Sequence, residues 1–136
     1  MKIMVTGDRG YIGAVLMPIL IKKGYEVTGY DSGFFVDNVL EEFEDGYPKI
    51  TKDIRDVTMD NLHGVDGIIH LAGLSNDPLG EFSPKLTEDI NYNGTMRLAE
   101  LAKDAGVSRF IYASSQSMYG ISDTSGELDE DDSEKK

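Results

Sequence analysis

The sequence predicts an α/β fold with a doubly wound parallel sheet, in which helices cover both faces of the strands. Short apolar runs alternate with segments of helical periodicity, and the first run leads through a glycine-rich turn into a helix. The fourth run, "GIIHLAG" from Gly67 to Gly73, is apolar without alternation, which is typical of a strand buried on both faces. Right-handed crossovers give 3-2-1-4-5 as the expected strand order. These features indicate a Rossmann domain, which we expect to be truncated after its fifth strand.

The first strand and helix are predicted by one continuous stretch. The first strand is "KIMVT", Lys2 to Thr6, and it is followed by "GDRGYIG". Apolar residues then recur at helical spacing, at Ile12, Val15, Leu16, Ile19 and Leu20. Pro18 lies inside this pattern and removes one backbone donor, so we expect a kink without a break. Gly24 is expected to end the helix as a left-handed cap.

Three further strands and a long helix complete the predicted order. The second strand is "YEVTGYD", Tyr25 to Asp31, and the third is "PKITKDI", Pro48 to Ile54. The residues between them predict a loop or irregular helix. A long helix is expected from about Leu86 to Ala105, before a fifth strand, "RFIYAS", from Arg109 to Ser114.

Length and composition limit the class of protein. A chain of 136 residues is the size of one domain, and we divide it into a dinucleotide-binding domain, residues 1–121, and an acidic tail, residues 122–136, that we expect to be flexible. The net charge of −12 argues against a nucleic-acid partner. The absence of cysteine excludes disulfides, and the apolar runs are too short to span a membrane. We therefore expect a cytoplasmic protein without a membrane role.

The stretch "TGDRGYIG" predicts a site for the pyrophosphate of a dinucleotide. Gly7 allows a tight turn, Gly10 lets backbone amides approach a phosphate, and Gly13 lets the helix pack closely on the sheet. The N terminus of the helix offers unpaired N–H groups and a partial positive charge. The predicted contacts in this turn are Gly7, Arg9, Gly10, Tyr11, Ile12 and Gly13. The alternative is that these glycines serve only a tight turn.

Two acidic residues at strand ends are candidates for binding the adenosine. Asp31 ends the second strand at the spacing expected for a carboxylate that bonds both ribose hydroxyls and repels the extra phosphate of NADP, which favours NAD. The alternative for Asp31 is an acidic turn residue. Asp53 follows the third strand and is a candidate partner for the adenine amino group, with Ile54 against the ring. A surface turn carboxylate explains Asp53 nearly as well.

The two histidines are weak candidates for chemistry. His70 lies in an apolar strand, where a packed or supporting histidine is favoured over a catalyst, and His63 lies in a short connection. With two histidines and no cysteine, the sequence predicts no metal site.

Four separated motifs occur in order and with suitable spacing. They are "TGDRGYIG", the strand end at Asp31, "HLAG", and "NYNGT" followed by "RFIYASSQSMYG". Together they resemble the extended short-chain dehydrogenase/reductase family, and more narrowly its NAD-dependent nucleotide-sugar epimerases and dehydratases. The resemblance extends from the first strand to Gly120. It implies NAD as the cofactor and a nucleotide sugar as the substrate, if the active site is completed.

The resemblance also implies roles for residues beyond the glycine turn. Leu71, Ala72 and Gly73 match the stretch that lines the cofactor after the fourth strand. Asn91 of "NYNGT" matches the asparagine that supports the active site, and Ser114 would lie beside the nicotinamide.

The serine motif carries the one catalytic residue that the resemblance assigns. Ser115 matches the serine or threonine that hydrogen-bonds the substrate hydroxyl or carbonyl. Gln116 and Ser117 stand where dehydratases of the family place an acid pair, and neither side chain can act as a general acid or base as Asp or Glu does. This departure disfavours a dehydratase mechanism of that kind.

The family's base is a tyrosine four residues before a lysine, and no tyrosine of this chain has a lysine at that spacing. We therefore expect the NAD-binding portion of an epimerase-like enzyme, inactive unless another polypeptide supplies the base. The alternative is a stand-alone dinucleotide-binding module without catalysis. A nucleoside-phosphate hydrolase is poorly supported, because the glycine turn lacks the Lys-Ser/Thr pair of a P-loop. Apolar surface left uncovered after the fifth strand predicts a homo-oligomer or a complementing chain.

Overall fold

The computed structural model describes residues 1–35, 46–75 and 83–115, together with Tyr119, Asp129 and Asp131. The interpretations of Gln116 and Ser117, and almost all of the acidic tail, lie outside the described residues. Five parallel strands form one sheet in the order β3-β2-β1-β4-β5, so the predicted strand order is confirmed. The strands are β1 Lys2–Thr6, β2 Glu26–Asp31, β3 Lys49–Thr51, β4 Gly67–His70 and β5 Arg109–Tyr112.

Helices follow on both faces of the sheet, as a doubly wound fold requires. They are α1 Tyr11–Lys22, α2 Pro84–Glu88 and α3 Thr95–Asp104, with a π-helical segment, Asp89–Gly94, between α2 and α3. Two short 3-10 turns, Ile54–Asp56 and Met59–Leu62, link β3 to β4. No helix of the described ranges is long and apolar enough to cross a membrane.

The core has two parts because side chains alternate across the buried strand β1. Met4 points into a cluster beneath α3 that includes Ile68 and Leu98. Its neighbours Ile3 and Val5 point into a second cluster beneath α1. Central strands that bury both faces explain why the sequence shows continuous apolar runs here.

Helix α1 confirms the predicted helix and its cap, and it buries only part of its apolar face. Gly24 has a φ of +84°, and the N–H groups of Gly24 and Tyr25 donate to the carbonyls of Ile21 and Leu20, which is the pattern of a left-handed cap. Pro18 lies inside a continuous helix. Met17 and Leu20 are buried, but other residues of the predicted apolar face are exposed, namely Ile12, Val15 and Ile19. Helix α1 therefore packs on the sheet along a narrower stripe than its apolar positions cover.

The third strand is shorter than predicted. It ends at Thr51, and Ile54 belongs instead to a 3-10 turn that Asp53 caps by accepting a bond from the Arg55 N–H at 2.9 Å. A side-chain cap of this kind draws the backbone out of the extended conformation.

The long helix after β4 differs from the single helix predicted over Leu86–Ala105. It begins at Pro84, whose fixed φ and missing N–H suit a first helical position, and it widens into the π-helical segment before α3. Apolar spacing in the sequence does not reveal one extra residue in a turn. Segments of this kind occur often at functional sites.

Strands β4 and β5 end at His70 and Tyr112, three and two residues before their predicted ends. Strand β1, the neighbour of β4, ends at Thr6, where Gly7 turns the chain away, so the register of β4 with β1 stops at the pair of Thr6 and His70. Strand β5 pairs only with β4 and stops at the pair of Tyr112 and His70. Leu71, Ala72 and Gly73 therefore form a loop at the carboxyl edge of the sheet.

Candidate functional site

A cleft of about 1020 Å³ opens at the carboxyl edge of the sheet. Its walls come from the turn after β1, the ends of β2 and β5, the loop after β4, and the π-helical segment. Every residue predicted for the site lies on this wall, namely Gly7, Arg9, Gly10, Tyr11, Ile12, Gly13, Asp31, Asp53, Ile54, Leu71, Ala72, Gly73, Asn91, Ser114 and Ser115. Parallel strands bring their carboxyl ends to one edge, which is why residues distant in sequence meet here.

The turn after β1 can accept only glycine at two positions. Gly7 has a φ of +75°, and a Cβ there would lie 2.8 Å from the Ala72 nitrogen. A Cβ on Gly13 would lie 2.3 Å from the Gly7 carbonyl oxygen. Helix α1 begins at Tyr11 after Gly10, which offers no side chain to cap it. The first N–H groups of α1 are therefore available at the cleft, as an anion site requires.

Asp31 is fixed at the end of β2 by the backbone. Its Oδ2 accepts a hydrogen bond from the Arg9 N–H at 3.2 Å, and its Oδ1 accepts one from the Gly33 N–H at 2.7 Å. A carboxylate offers about four lone-pair positions, so each oxygen can still accept a further bond from a ligand in the cleft.

Near β3, Arg9 lines the cleft, and Arg55 binds the carboxylate of the lining residue Asp53. Arg9 donates from Nη2 to Thr51 Oγ1 at 3.0 Å, and its Nε is buried with no hydrogen-bond partner among the described residues. Arg55 binds both carboxylate oxygens of Asp53, with Nη2 to Oδ2 at 2.7 Å, and this contact holds the pKa of Asp53 below its usual value. The arrangement favours the turn-carboxylate alternative for Asp53, and its contact with adenine stays a prediction.

Asn91 and the two serines also line the cleft. The Asn91 side chain accepts a bond from the Leu74 N–H and donates one to the Leu74 carbonyl, each at 2.8 Å. Asn91 thus fixes the loop after β4. Ser114 and Ser115 are exposed and line the cleft just beyond β5.

Asp8 is a buried acid within the glycine turn that sequence reasoning missed. Tyr47 donates its hydroxyl to Asp8 Oδ2 at 2.8 Å, and Gly29 makes room for the carboxyl, since a Cβ there would lie 2.2 Å from the same oxygen. Burial raises the pKa of Asp8, and the Asp31 charge acts in the same direction. The fit of Asp8, Gly29 and Tyr47 depends on tertiary contacts, and no local pattern signals it.

Metal chemistry has no support in this cleft. Within residues 1–35, 46–75 and 83–115, no group of three or more histidine, cysteine or acidic side chains is placed to hold an ion.

A strand–turn–helix unit with a glycine turn, an open helix N terminus and an acid at the next strand end defines a dinucleotide-binding domain of the Rossmann class. The chain belongs to the NAD dependent epimerase/dehydratase family, because the model of that family matches residues 3–136. This result confirms the resemblance found in the sequence motifs.

Comparison with individual proteins gives matches of 31–33% identity over most of the chain. The chain is 33% identical over 137 residues to a UDP-glucose 4-epimerase from Klebsiella pneumoniae, covering 88% of this chain and 93% of that protein. It is 32% identical over 130 residues to a UDP-glucose 4-epimerase from Streptomyces lividans, covering 88% of this chain and 37% of that protein. A 3-beta-hydroxysteroid dehydrogenase from Mycolicibacterium neoaurum is 31% identical over 129 residues, covering 86% of this chain and 32% of that protein.

Solved structures agree at the level of the fold. A UDP-glucose-4-epimerase from Stenotrophomonas maltophila with bound NAD is 29% identical with a TM-score of 0.79, and the match covers 92% of this chain and 40% of that one. A dTDP-glucose 4,6-dehydratase from Streptomyces venezuelae with NAD bound gives 29% identity and a TM-score of 0.80, and covers 91% of this chain and 42% of that one. The chain thus spans about two fifths of these structures.

Proposed function

We propose that this chain is the NAD-binding portion of a nucleotide-sugar epimerase or dehydratase. The observation that carries the proposal is the cleft itself, where the open N terminus of α1 and the Asp31 carboxylate lie on one wall and Ser114 and Ser115 on another. The absent Cβ atoms of Gly7 and Gly13 let the turn pack tightly against Ala72 and the start of α1, as pyrophosphate-binding turns do, and the spare acceptor positions of Asp31 suit a ribose diol.

The residues that line the cleft have distinct roles in this proposal. The backbone N–H groups of Tyr11 to Gly13 hold the two phosphates, and Asp31 orients the adenosine ribose. Leu71, Ala72 and Gly73 line the path to the nicotinamide beside Ser114. Bound NAD supplies the hydride acceptor and donor. Ser115 hydrogen-bonds the oxygen of the sugar carbon that reacts.

The same proposal includes inactivity of the isolated chain. Oxidation of a sugar carbinol requires a group that takes the hydroxyl proton at neutral pH. His70 is fully buried behind the wall, and none of the tyrosines has a lysine four residues later. We infer that a second polypeptide segment supplies the proton acceptor and most of the sugar site.

A stand-alone dinucleotide-binding module is the second candidate. It is favoured by the position of Asn91, because this side chain is already engaged with Leu74 and serves the loop without any substrate. Both candidates bind NAD. They differ in whether any added polypeptide restores turnover.

The experiment that tests the binding site is an amide chemical-shift titration of the 15N-labelled chain with NAD. We expect the largest changes at Gly10, Ile12 and Gly13 and at the loop after β4. Absent changes there, in a folded chain, would contradict the proposal. A parallel incubation with NAD and UDP-glucose should form no NADH, and measurable turnover by the chain alone would contradict the proposed inactivity.

A further inference from the structure

His70 is fully buried at the end of β4, directly behind the loop that lines the cleft. Neither cofactor binding nor proton transfer uses it. Both of its ring nitrogens nevertheless have polar partners, Thr6 and Thr95, and each partner is hydrogen-bonded to a residue that lines the cleft, Ala72 or Asn91.

The Nδ1 side leads to the loop after β4. Nδ1 lies within hydrogen-bond distance of the buried Thr6 hydroxyl, Oγ1. The same Oγ1 accepts a hydrogen bond from the Ala72 N–H at 3.3 Å. Because an N–H can only donate, the Thr6 hydroxyl proton remains free to point at Nδ1.

The Nε2 side leads to the π-helical segment. Nε2 lies 2.8 Å from Thr95 Oγ1, and the same hydroxyl lies 2.7 Å from the Asn91 carbonyl oxygen. The Thr95 N–H donates to the Tyr92 carbonyl, so it is the Thr95 hydroxyl that donates to the Asn91 carbonyl. A carbonyl only accepts, so the Thr95 proton goes to Asn91 and its oxygen must accept a proton from Nε2.

The Thr95 contact fixes a proton on Nε2. In the neutral ring Nδ1 is then unprotonated and accepts the Thr6 hydroxyl proton, so the ring has a single neutral tautomer. Burial lowers the pKa of His70 to about 4, which agrees with a ring that is uncharged at neutral pH.

The bonds close into a ring of contacts around the loop. Ala72, near the start of the loop, is tied through Thr6 to His70. Leu74, at its end, is tied to the Asn91 side chain, while the Asn91 carbonyl is tied through Thr95 to His70. One buried imidazole thereby connects both ends of the same four-residue wall.

We propose that His70, as its Nε2–H tautomer, is a positioning residue that holds the Leu71–Leu74 loop and the Asn91 segment in the geometry that receives the cofactor. The inference rests on the proposed function for the identity of that cofactor. The hydrogen bonds that support it lie within this chain and do not depend on the identity of the cofactor.

The test uses the full chain and a matched pair of variants, Thr95→Val and Thr95→Ser. Long-range 1H–15N spectra of the wild-type imidazole should show the Nε2–H tautomer, without titration between about pH 6 and 8. Thr95→Val should speed hydrogen exchange at the Ala72 and Leu74 amides about fivefold, the equivalent of one lost hydrogen bond. It should weaken NAD binding by a similar factor, and Thr95→Ser should restore both values. Exchange at Val5, in the centre of the sheet, should stay unchanged.

An Nδ1–H or charged ring in the wild type would overturn the inference. Equal exchange at Ala72 and Leu74 in the two variants would overturn it as well. If Thr95→Val does not fold, the wild-type spectrum still tests the inference, because it reports the tautomer and the charge of the His70 ring. A wild type that binds no NAD would refute the proposed function, while the tautomer and the exchange rates would still test the role of His70.

Discussion

At the scale of single residues, Gly7 and Gly24 distinguish two reasons why a glycine cannot be replaced without loss of stability: a left-handed backbone conformation and a lack of space for a Cβ. Both have a left-handed φ, but a Cβ on Gly7 meets the Ala72 backbone whereas one on Gly24 meets nothing within 4 Å. We expect Gly24→Ala to lower the free energy of unfolding by about 1 kcal/mol, the conformational cost alone. Gly7→Ala should cost about 2 kcal/mol more through overpacking and should weaken NAD binding. Urea unfolding and calorimetry measure both, and equal effects would contradict the account.

Asp31 should set both the affinity for NAD and the discrimination against NADP. In Asp31→Asn, one oxygen becomes an NH₂ group, so one of the Arg9 and Gly33 amides loses its acceptor. We expect NAD binding to weaken about tenfold, as for a bond to a charged group, and the preference over NADP to shrink. The exposed Asp60→Asn is the control. An unchanged ratio of the two affinities would show that Asp31 does not read the ribose.

His70 should make the chain less stable in mild acid. Its folded pKa of about 4 lies below the unfolded value of about 6.5, so the unfolded chain binds the proton first as pH falls. Stability is therefore complete above about pH 6.5 and declines toward pH 4, by about 1.5 kcal/mol between pH 6.5 and 5. Urea unfolding should show this loss in wild type and in the exposed control His63→Gln, but not in His70→Gln. The same slope in all three chains would contradict the assignment.

At the scale of elements, the loop after β4 depends on the π-helical segment for its position. Asn91→Ala removes both side-chain bonds to Leu74 and leaves that backbone unsatisfied, so we expect a loss of about 2 kcal/mol in the free energy of unfolding. Asn93→Ala, which removes an exposed bond to Asp89, should change stability by less than about 0.5 kcal/mol. Similar losses in the two variants would mean that Asn91 does not hold the loop.

The elements also show how far sequence reasoning reaches. The buried strands are predictable because each is a continuous apolar run in the sequence, and the order of the sheet is predictable because crossovers between parallel strands are right-handed. The positions of the glycine turn and of Asp31 in the cleft were predictable for the same reason, since they lie at strand ends, whereas Asn91 and the two serines were assigned only by the family resemblance. The short β3 and the π-helical segment were not predictable, because the Asp53 cap and one extra residue in a turn leave the apolar spacing unchanged. The contacts of Asp8 and His70 arise only when distant elements meet.

At the scale of the whole molecule, one face of the sheet is only partly covered. Ile111 pairs in register with Ile69, which belongs to the cluster beneath α1, yet Ile111 is 57% exposed. On α1 itself, Ile12 and Val15 are each 60% exposed. We expect the purified chain to self-associate through this face, since apolar surface of this kind is commonly an interaction site.

Sedimentation velocity over a wide range of concentrations tests this expectation. The double variant Val15→Glu, Ile19→Glu should shift the chain toward monomer. The control is Met59→Glu, which introduces one such carboxylate at an exposed apolar residue outside this face and should not shift the chain toward monomer. A wild type that is monomeric at every concentration would contradict the expectation.

The central claim is that this chain holds a working dinucleotide site, and calorimetric titration of the wild type with NAD and then with NADP tests it most directly. We expect saturable binding of NAD and weaker binding of NADP, because the carboxylate of Asp31 accepts the ribose diol and repels a phosphate. A folded chain that binds neither dinucleotide, or that prefers NADP, would contradict it.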